Sequence, residues 1–138
     1  MSLKDVTIED VIDAFSFMDD WEERYRYLID LGKQLSPLSP AEMTDVFRVR
    51  GCQSKVWLVP SVEESRLILR GDSDAHIVKG LVALMLLLYS GKTPKEILAI
   101  DAVAVLQKLG LKEHLSPMRA NGLFSMVERI KGIASAAL

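Results

Sequence analysis

The chain has one cysteine, two histidines and two tryptophans, and no apolar run long enough to cross a bilayer. A single thiol closes no intramolecular disulfide and supplies at most one metal ligand, which excludes a disulfide scaffold and a thiolate-built metal site. Neither His76 nor His114 has a metal-ligand companion at useful spacing, and both read as ordinary polar residues. The strongest apolar stretch, Gly80 to Tyr89, covers roughly half of the ~20 residues that a membrane-spanning helix needs, so it reads as a buried helix. The start, Met1-Ser2-Leu3-Lys4-Asp5, lacks the basic and then apolar pattern of a secretory signal, which predicts a cytoplasmic location. A formal net charge of −2 gives no global field for nucleic acid or anionic lipid, and neither is expected as a partner. What is present is 138 residues, 49% of them hydrophobic, which is the size and composition of one domain over 1–138 with a core that needs no staple.

Periodicity divides the chain into helices, a short sheet and more helices. Thr7 with Asp10 forms a cap, and Ile8, Val11, Ile12 and Phe15 line one face, which predicts a helix over about 7–17. Asp19 or Asp20 caps a second helix carrying Trp21, Tyr25, Leu28 and Ile29 at core spacing, with its end near Gly32. Both prolines of Ser36-Pro37-Leu38-Ser39-Pro40 lack an amide donor, so this segment is a connector. Val46–Val49, Val56–Val59 and Arg66–Arg70 are β-branched, aromatic or alternating, and predict a small antiparallel sheet of about three strands near 45–71.

Beyond Gly71 the period becomes helical. Ser73 or Asp74 is expected to cap a helix running to about Tyr89, and Thr93-Pro94-Lys95-Glu96 is a capping box with proline at the first helical position. Two short helices then fill about 94–110, with Asp101 capping the second, Val103, Leu106 and Leu109 facing inward and Gly110 ending it. Ser116-Pro117 opens a last helix with Leu123, Met126, Val127, Ile130 and Ile133 in one stripe. This order predicts an α+β fold, a small antiparallel sheet packed against several helices.

The lone thiol falls in Arg48-Val49-Arg50-Gly51-Cys52-Gln53-Ser54-Lys55-Val56-Trp57, on the turn between the first two expected strands. Gly51 permits backbone conformations that other residues avoid, and such a turn would display the thiol. The thiolate is the nucleophile, and positive charge raises its population, so Arg48, Arg50 and Lys55 are candidate stabilisers. With no second cysteine, its reactivity is directed at another molecule, which suggests a relay.

Gly51-Cys52-Gln53-Ser54-Lys55-Val56-Trp57 followed by Gly71-Asp72-Ser73-Asp74-Ala75-His76-Ile77-Val78-Lys79-Gly80-Leu81 resembles the SufE family of sulfur acceptors. Trp21-Glu22-Glu23-Arg24-Tyr25, Thr93-Pro94 and Leu115-Ser116-Pro117-Met118-Arg119-Ala120-Asn121-Gly122-Leu123 agree in the same order, so the resemblance spans almost the whole chain. It departs at Asn121, where glutamine is common before Gly-Leu. The resemblance implies a SufE/IscU-like fold and a carrier whose Cys52 takes persulfide sulfur from a PLP-dependent, SufS/CsdA-like cysteine desulfurase and stimulates that enzyme. Sulfur would then pass to iron–sulfur cluster assembly, with a SufBCD-type scaffold as a candidate acceptor. The chain itself would be a non-catalytic transfer partner, rather than a stand-alone enzyme, with no cofactor of its own.

Gly51 and Gln53 become supporting loop residues in this reading, and Arg48, Arg50, Lys55 and Arg119 become docking cations. The family resemblance also suggests a shielded sulfur, with Gly51 as pivot and Val56, Leu58 or side chains of the 77–89 helix forming a shallow pocket. Rival readings are a thiol enzyme pairing Cys52 with His76 or His114, a cluster scaffold, which one cysteine serves poorly, and a binding module in which Cys52 is incidental. Asp72 and Asp74 read as helix caps, and Trp21 and Trp57 as core or interface aromatics.

Overall fold

The computed structural model describes residues 3–138, apart from the side chains of Lys4 and Lys112. A single turn at Leu3–Asp5 leads into α1 (Ile8–Ser16), where Thr7 and Asp10 form the expected reciprocal cap. Asp20, not Asp19, caps α2 (Trp21–Gly32) by accepting from the Glu23 amide. After the proline connector and a run of turns come β1 (Val56–Glu63) and β2 (Arg66–Ser73), followed by α3 (His76–Tyr89). Then α4 (Pro94–Ala99), α5 (Ala102–Leu109), α6 (Leu111–His114) and α7 (Pro117–Ala136) complete the chain. The architecture is α+β.

The sheet has two strands, not three, among the described residues. β1 and β2 pair antiparallel from Val56↔Ser73 to Glu63↔Arg66, joined by Glu64 and Ser65, both at positive φ. Positive φ at both loop positions matches the right-handed twist of the strands. The expected first strand is reduced to one bridge, Arg48↔Trp57, because residues 41–47 run as turns and bends. Arg66–Arg70 alternates as expected, with Leu67 and Leu69 buried.

α3 is the centre of the packing. Val78, Leu81, Val82, Ala83, Leu84, Met85, Leu88 and Tyr89 are all buried on it, and α2, β2 and α7 pack around it. α2 crosses α3 very closely: a Cβ on Gly80 would lie 2.3 Å from the Leu28 carbonyl oxygen, and one on Gly32 would lie 2.6 Å from the Gly80 nitrogen. Glycine is required there because backbone meets backbone.

The capping box at Thr93 and Glu96, the Asp101 cap, the left-handed Gly110 and the Ser116 cap are all present. Val103 is exposed rather than inward, since Ala102, Leu106 and Leu109 already form the buried face of α5. Neither Ser73 nor Asp74 caps α3. Its first residue follows Ala75, which has no capping side chain, and the two polar groups are engaged elsewhere.

Candidate functional site: a thiol loop berthed on a helix

Residues 50–55 form a short loop whose two sides are tied by backbone bonds. The Val49 amide donates to the Val56 carbonyl at 2.8 Å, and the Leu58 amide donates to the Phe47 carbonyl at 2.9 Å. Ahead of the loop, Arg129 of α7 donates to the Val46 carbonyl at 3.0 Å.

On the far side, Lys55 is held from both faces of its peptide. Its amide donates to Asp74 Oδ1 at 3.0 Å, and its carbonyl accepts from Ser73 Oγ at 2.7 Å and from the Asp74 amide at 3.2 Å. Ser73 Oγ also accepts from the Ala75 amide at 3.3 Å, so this buried hydroxyl both donates and accepts. The Gly-Asp-Ser-Asp block therefore anchors the cysteine loop. Asp72 accepts an ion pair from Lys79 at 3.3 Å across the start of α3.

Gly51 adopts φ +89°, the left-handed region that a side chain disfavours, and so turns the chain back toward α7. Cys52 is consequently half-buried instead of displayed, and its Sγ donates to the Gly122 carbonyl oxygen at 3.5 Å. Beside it lies a cavity of about 70 Å³, lined by Gln53 and Ser54 of the loop, Val78 and Leu81 of α3, and Met118, Arg119, Gly122 and Met126 of α7. Val56 and Leu58, expected to line it, are instead wholly buried in the core, because alternation along β1 points them inward. Burial pushes the Cys52 thiol up from its ordinary value, and the Arg48 cation pulls it partly back.

The expected site residues thus separate. Gln53 and Arg119 join Cys52 around the cavity, while Arg48 acts on the thiol by charge. Arg50 points outward to Asp45 at 3.8 Å, and Lys55 is exposed. Neither histidine lines the cavity: His76 is exposed in the first turn of α3, and His114 stacks on Trp21 with ring centroids 3.9 Å apart. Trp21 also packs beside Phe15, Tyr25 and the Arg24 guanidinium, an aromatic cluster joining α1, α2 and α6. Among the described residues, no group of three or more His, Cys, Asp or Glu side chains is placed to hold a metal ion. No described helix is long and apolar enough to cross a membrane.

Sequence reasoning missed Ser125 of α7, whose Oγ stands where a Cβ on Gly51 would come within 2.4 Å, and assigned Ser73 and Asp74 the wrong partner. A mid-helix glycine at position 122, costly in a helix without a packing reason, was the signal for close approach of another segment.

Residues 9–134 match the family described as SufE, Fe-S metabolism associated domain. An uncharacterized SufE-like protein of Rhizobium meliloti (strain 1021) is 48% identical over 136 residues, covering 96% of this chain and 97% of its own. A second uncharacterized SufE-like protein, from Rhizobium etli, is 50% identical over 129 residues, covering 91% of this chain and 87% of that one. The solution structure of a hypothetical protein from Thermus thermophilus superposes with a TM-score of 0.76 at 22% identity, covering 94% of each chain, and shares the fold. With the family's pattern matched over residues 9–134 and relatives about half identical over most of the chain, the chain belongs to the SufE family, whose members act in sulfur transfer beside cysteine desulfurases.

Proposed function

We propose that this protein is a cytoplasmic, single-domain sulfur carrier that accepts sulfane sulfur on Cys52 from a PLP-dependent, SufS/CsdA-like desulfurase, stimulates that enzyme, and delivers the sulfur to iron–sulfur cluster assembly. The observation that carries the reading is the placement of the lone thiol. It lies at the tip of an anchored loop, beside a small cavity with apolar and polar walls and one cation in its lining.

The transfer balances without an oxidant. Cys52 thiolate attacks the outer sulfur of the donor persulfide, the donor's sulfur–sulfur bond breaks, and its thiolate leaves with the bonding pair. Cys52 then carries a persulfide, and the released thiolate takes up the proton that Cys52 gave up. The hard chemistry of freeing sulfur from cysteine belongs to the partner's cofactor, so this chain supplies a nucleophile, an approach and a shelter.

The cavity supports the shelter. Val78, Leu81 and Met126 give the cavity beside the thiol an apolar wall, and a sulfane sulfur placed there would meet few stray thiols or oxidants. Arg119, Arg48, Arg50 and Lys55 give the surface around the loop a positive character that suits an acidic partner rim. A SufBCD-type scaffold fits as the downstream acceptor.

The test is intact-mass analysis after anaerobic incubation with a cysteine desulfurase, pyridoxal phosphate and free cysteine, with Cys52→Ser alongside. A reductant-sensitive gain of about 32 mass units per sulfur, on the native chain alone, is expected. No gain with the thiol shown to be reduced and several desulfurases tried overturns the reading.

A further inference from the structure

Pro117, Met118 and Arg119, in the first turn of α7, are all exposed, and the buried stripe of that helix starts only at Gly122 and Leu123. Yet this turn delivers two of the side chains that line the cavity beside Cys52, Met118 and Arg119. Its closure rests on Ser116, whose Oγ accepts from the Arg119 amide at 3.2 Å and whose carbonyl accepts from the Ala120 amide at 2.9 Å. Ser116 is itself exposed, so its place is set by what precedes it.

What precedes it is the short helix α6, which is seated at both ends on one indole. Gly110, at its start, lies against Trp21, where a Cβ would come within 3.2 Å of Cζ2. His114, at its end, stacks on the same ring with centroids 3.9 Å apart and planes 17° from parallel. Tyr25, one turn along α2 from Trp21, donates its hydroxyl to the His114 carbonyl oxygen. The indole is held in turn, edge-on by Phe15 at 6.2 Å and by the Arg24 guanidinium 4.9 Å from its centre. Between this clasp and Ser116 stands only Leu115, which is buried.

Resting on the sulfur-carrier reading, we infer that Trp21, Tyr25 and His114 are positioning residues for Arg119, fixing the corner from which α7 starts and so holding its cation at the cavity where sulfur arrives. In the transfer one thiolate attacks and another leaves, so negative charge is present there throughout, and a cation held in place lowers its cost. A first turn that frays lets Arg119 point into solvent, where its charge is screened. Arg48, by contrast, acts on the thiol from the base of the loop and does not depend on this corner. α2 therefore acts on the sulfur site without lining it.

The test compares alkylation of Cys52 by iodoacetate with alkylation by iodoacetamide in the full chain. The ratio of the two rates reads the positive charge that meets an anion arriving at the thiol, and it needs no sulfur donor. Arg119→Gln is expected to lower the ratio about threefold, the effect of a single screened charge close by. His114→Ala is expected to lower it as far and to add nothing in the Arg119→Gln background, while His114→Phe, which keeps a ring on Trp21, stays close to wild type. General loosening of the fold would change both rates alike and leave the ratio where it was. An unchanged ratio in either Arg119→Gln or His114→Ala, or a His114→Ala loss that persists in the Arg119→Gln background, overturns the inference.

Should His114→Ala unfold, Tyr25→Phe gives the decision, since it removes only the hydroxyl that ties the corner to α2: a lower ratio that depends on Arg119 supports the inference and an unchanged one overturns it. If the wild-type chain takes no sulfur from a desulfurase, the carrier reading falls, while the ratio series still judges the positioning of Arg119.

Discussion

Cys52 is subject to two opposed influences of unequal size. Burial and the Gly122 carbonyl favour the neutral thiol, Arg48 favours the thiolate, and burial is the larger. The folded chain therefore binds the thiol proton more tightly than the unfolded chain does. Whatever stability this contributes is fully present below the unfolded thiol's value of about 8.5 and falls away as pH rises through the higher folded value. The same sign governs reactivity. Alkylation of folded Cys52 is expected to reach half its limiting rate at a pH above that of the same chain in denaturant, and to be slower throughout the neutral range. A folded profile at or below the denatured one would show that the cation dominates. Ser73 matters at this scale too, because it fills the buried polar valences of Lys55 and Ala75 and so fixes where the loop ends.

Among the elements, the α2–α3 crossing and α7 decide the site. α3 presents Val78 and Leu81 to the cavity, and α2 lies close against the same helix at Gly32 and Gly80. Replacing Gly80 by alanine raises helix propensity by about 1 kcal/mol, yet the added methyl would meet the Leu28 carbonyl at 2.3 Å, a backbone atom that no rotamer change moves. Overpacking of this kind costs about 1–3 kcal/mol, so the clash wins. Gly80→Ala is expected to lower the thermal midpoint by about 5 °C and to loosen Cys52 protection with it, as read by thermal unfolding and alkylation together. A midpoint at or above wild type would mean that the two helices separate without cost.

For the whole molecule, the relevant contrast is between a chain of formal net charge −2 and a thiol loop surrounded by Arg48, Arg50, Lys55 and Arg119. Local charge of this sign steers encounter and orientation more than it sets final affinity. Arg119, at the cavity rim and exposed, has little part in folding. Arg119→Glu is expected to slow sulfur loading about tenfold with an unchanged unfolding midpoint, and to reduce the salt dependence of loading seen with wild type, whose charge contacts are screened beyond about 8 Å at physiological salt. Loading that ignores both the reversal and salt would remove Arg119 from the docking surface.

Helix starts and ends were legible from the chain because they depend on neighbours three or four residues apart: Thr7 with Asp10, Thr93 with Glu96, the Asp101 cap, and Gly110 in its left-handed turn. The candidate nucleophile stood out as well, since a lone thiol beside a glycine and cations marks itself. The third strand was not, because Val46–Val49 has the composition of a strand but gains only the single bridge that the turns before it allow. The same limit applies to Ser73 and Asp74, whose local spacing suits a cap but whose partner, Lys55, lies 18 and 19 residues away. Sequence by itself determined the helices other than the short α6, the two strands and the candidate nucleophile, all of which rest on local periodicity and chemistry. Only tertiary structure decided that the loop turns inward, with Cys52 on Gly122 and Gly51 beside Ser125, because those contacts join residues about 70 apart through side chains that are small or absent.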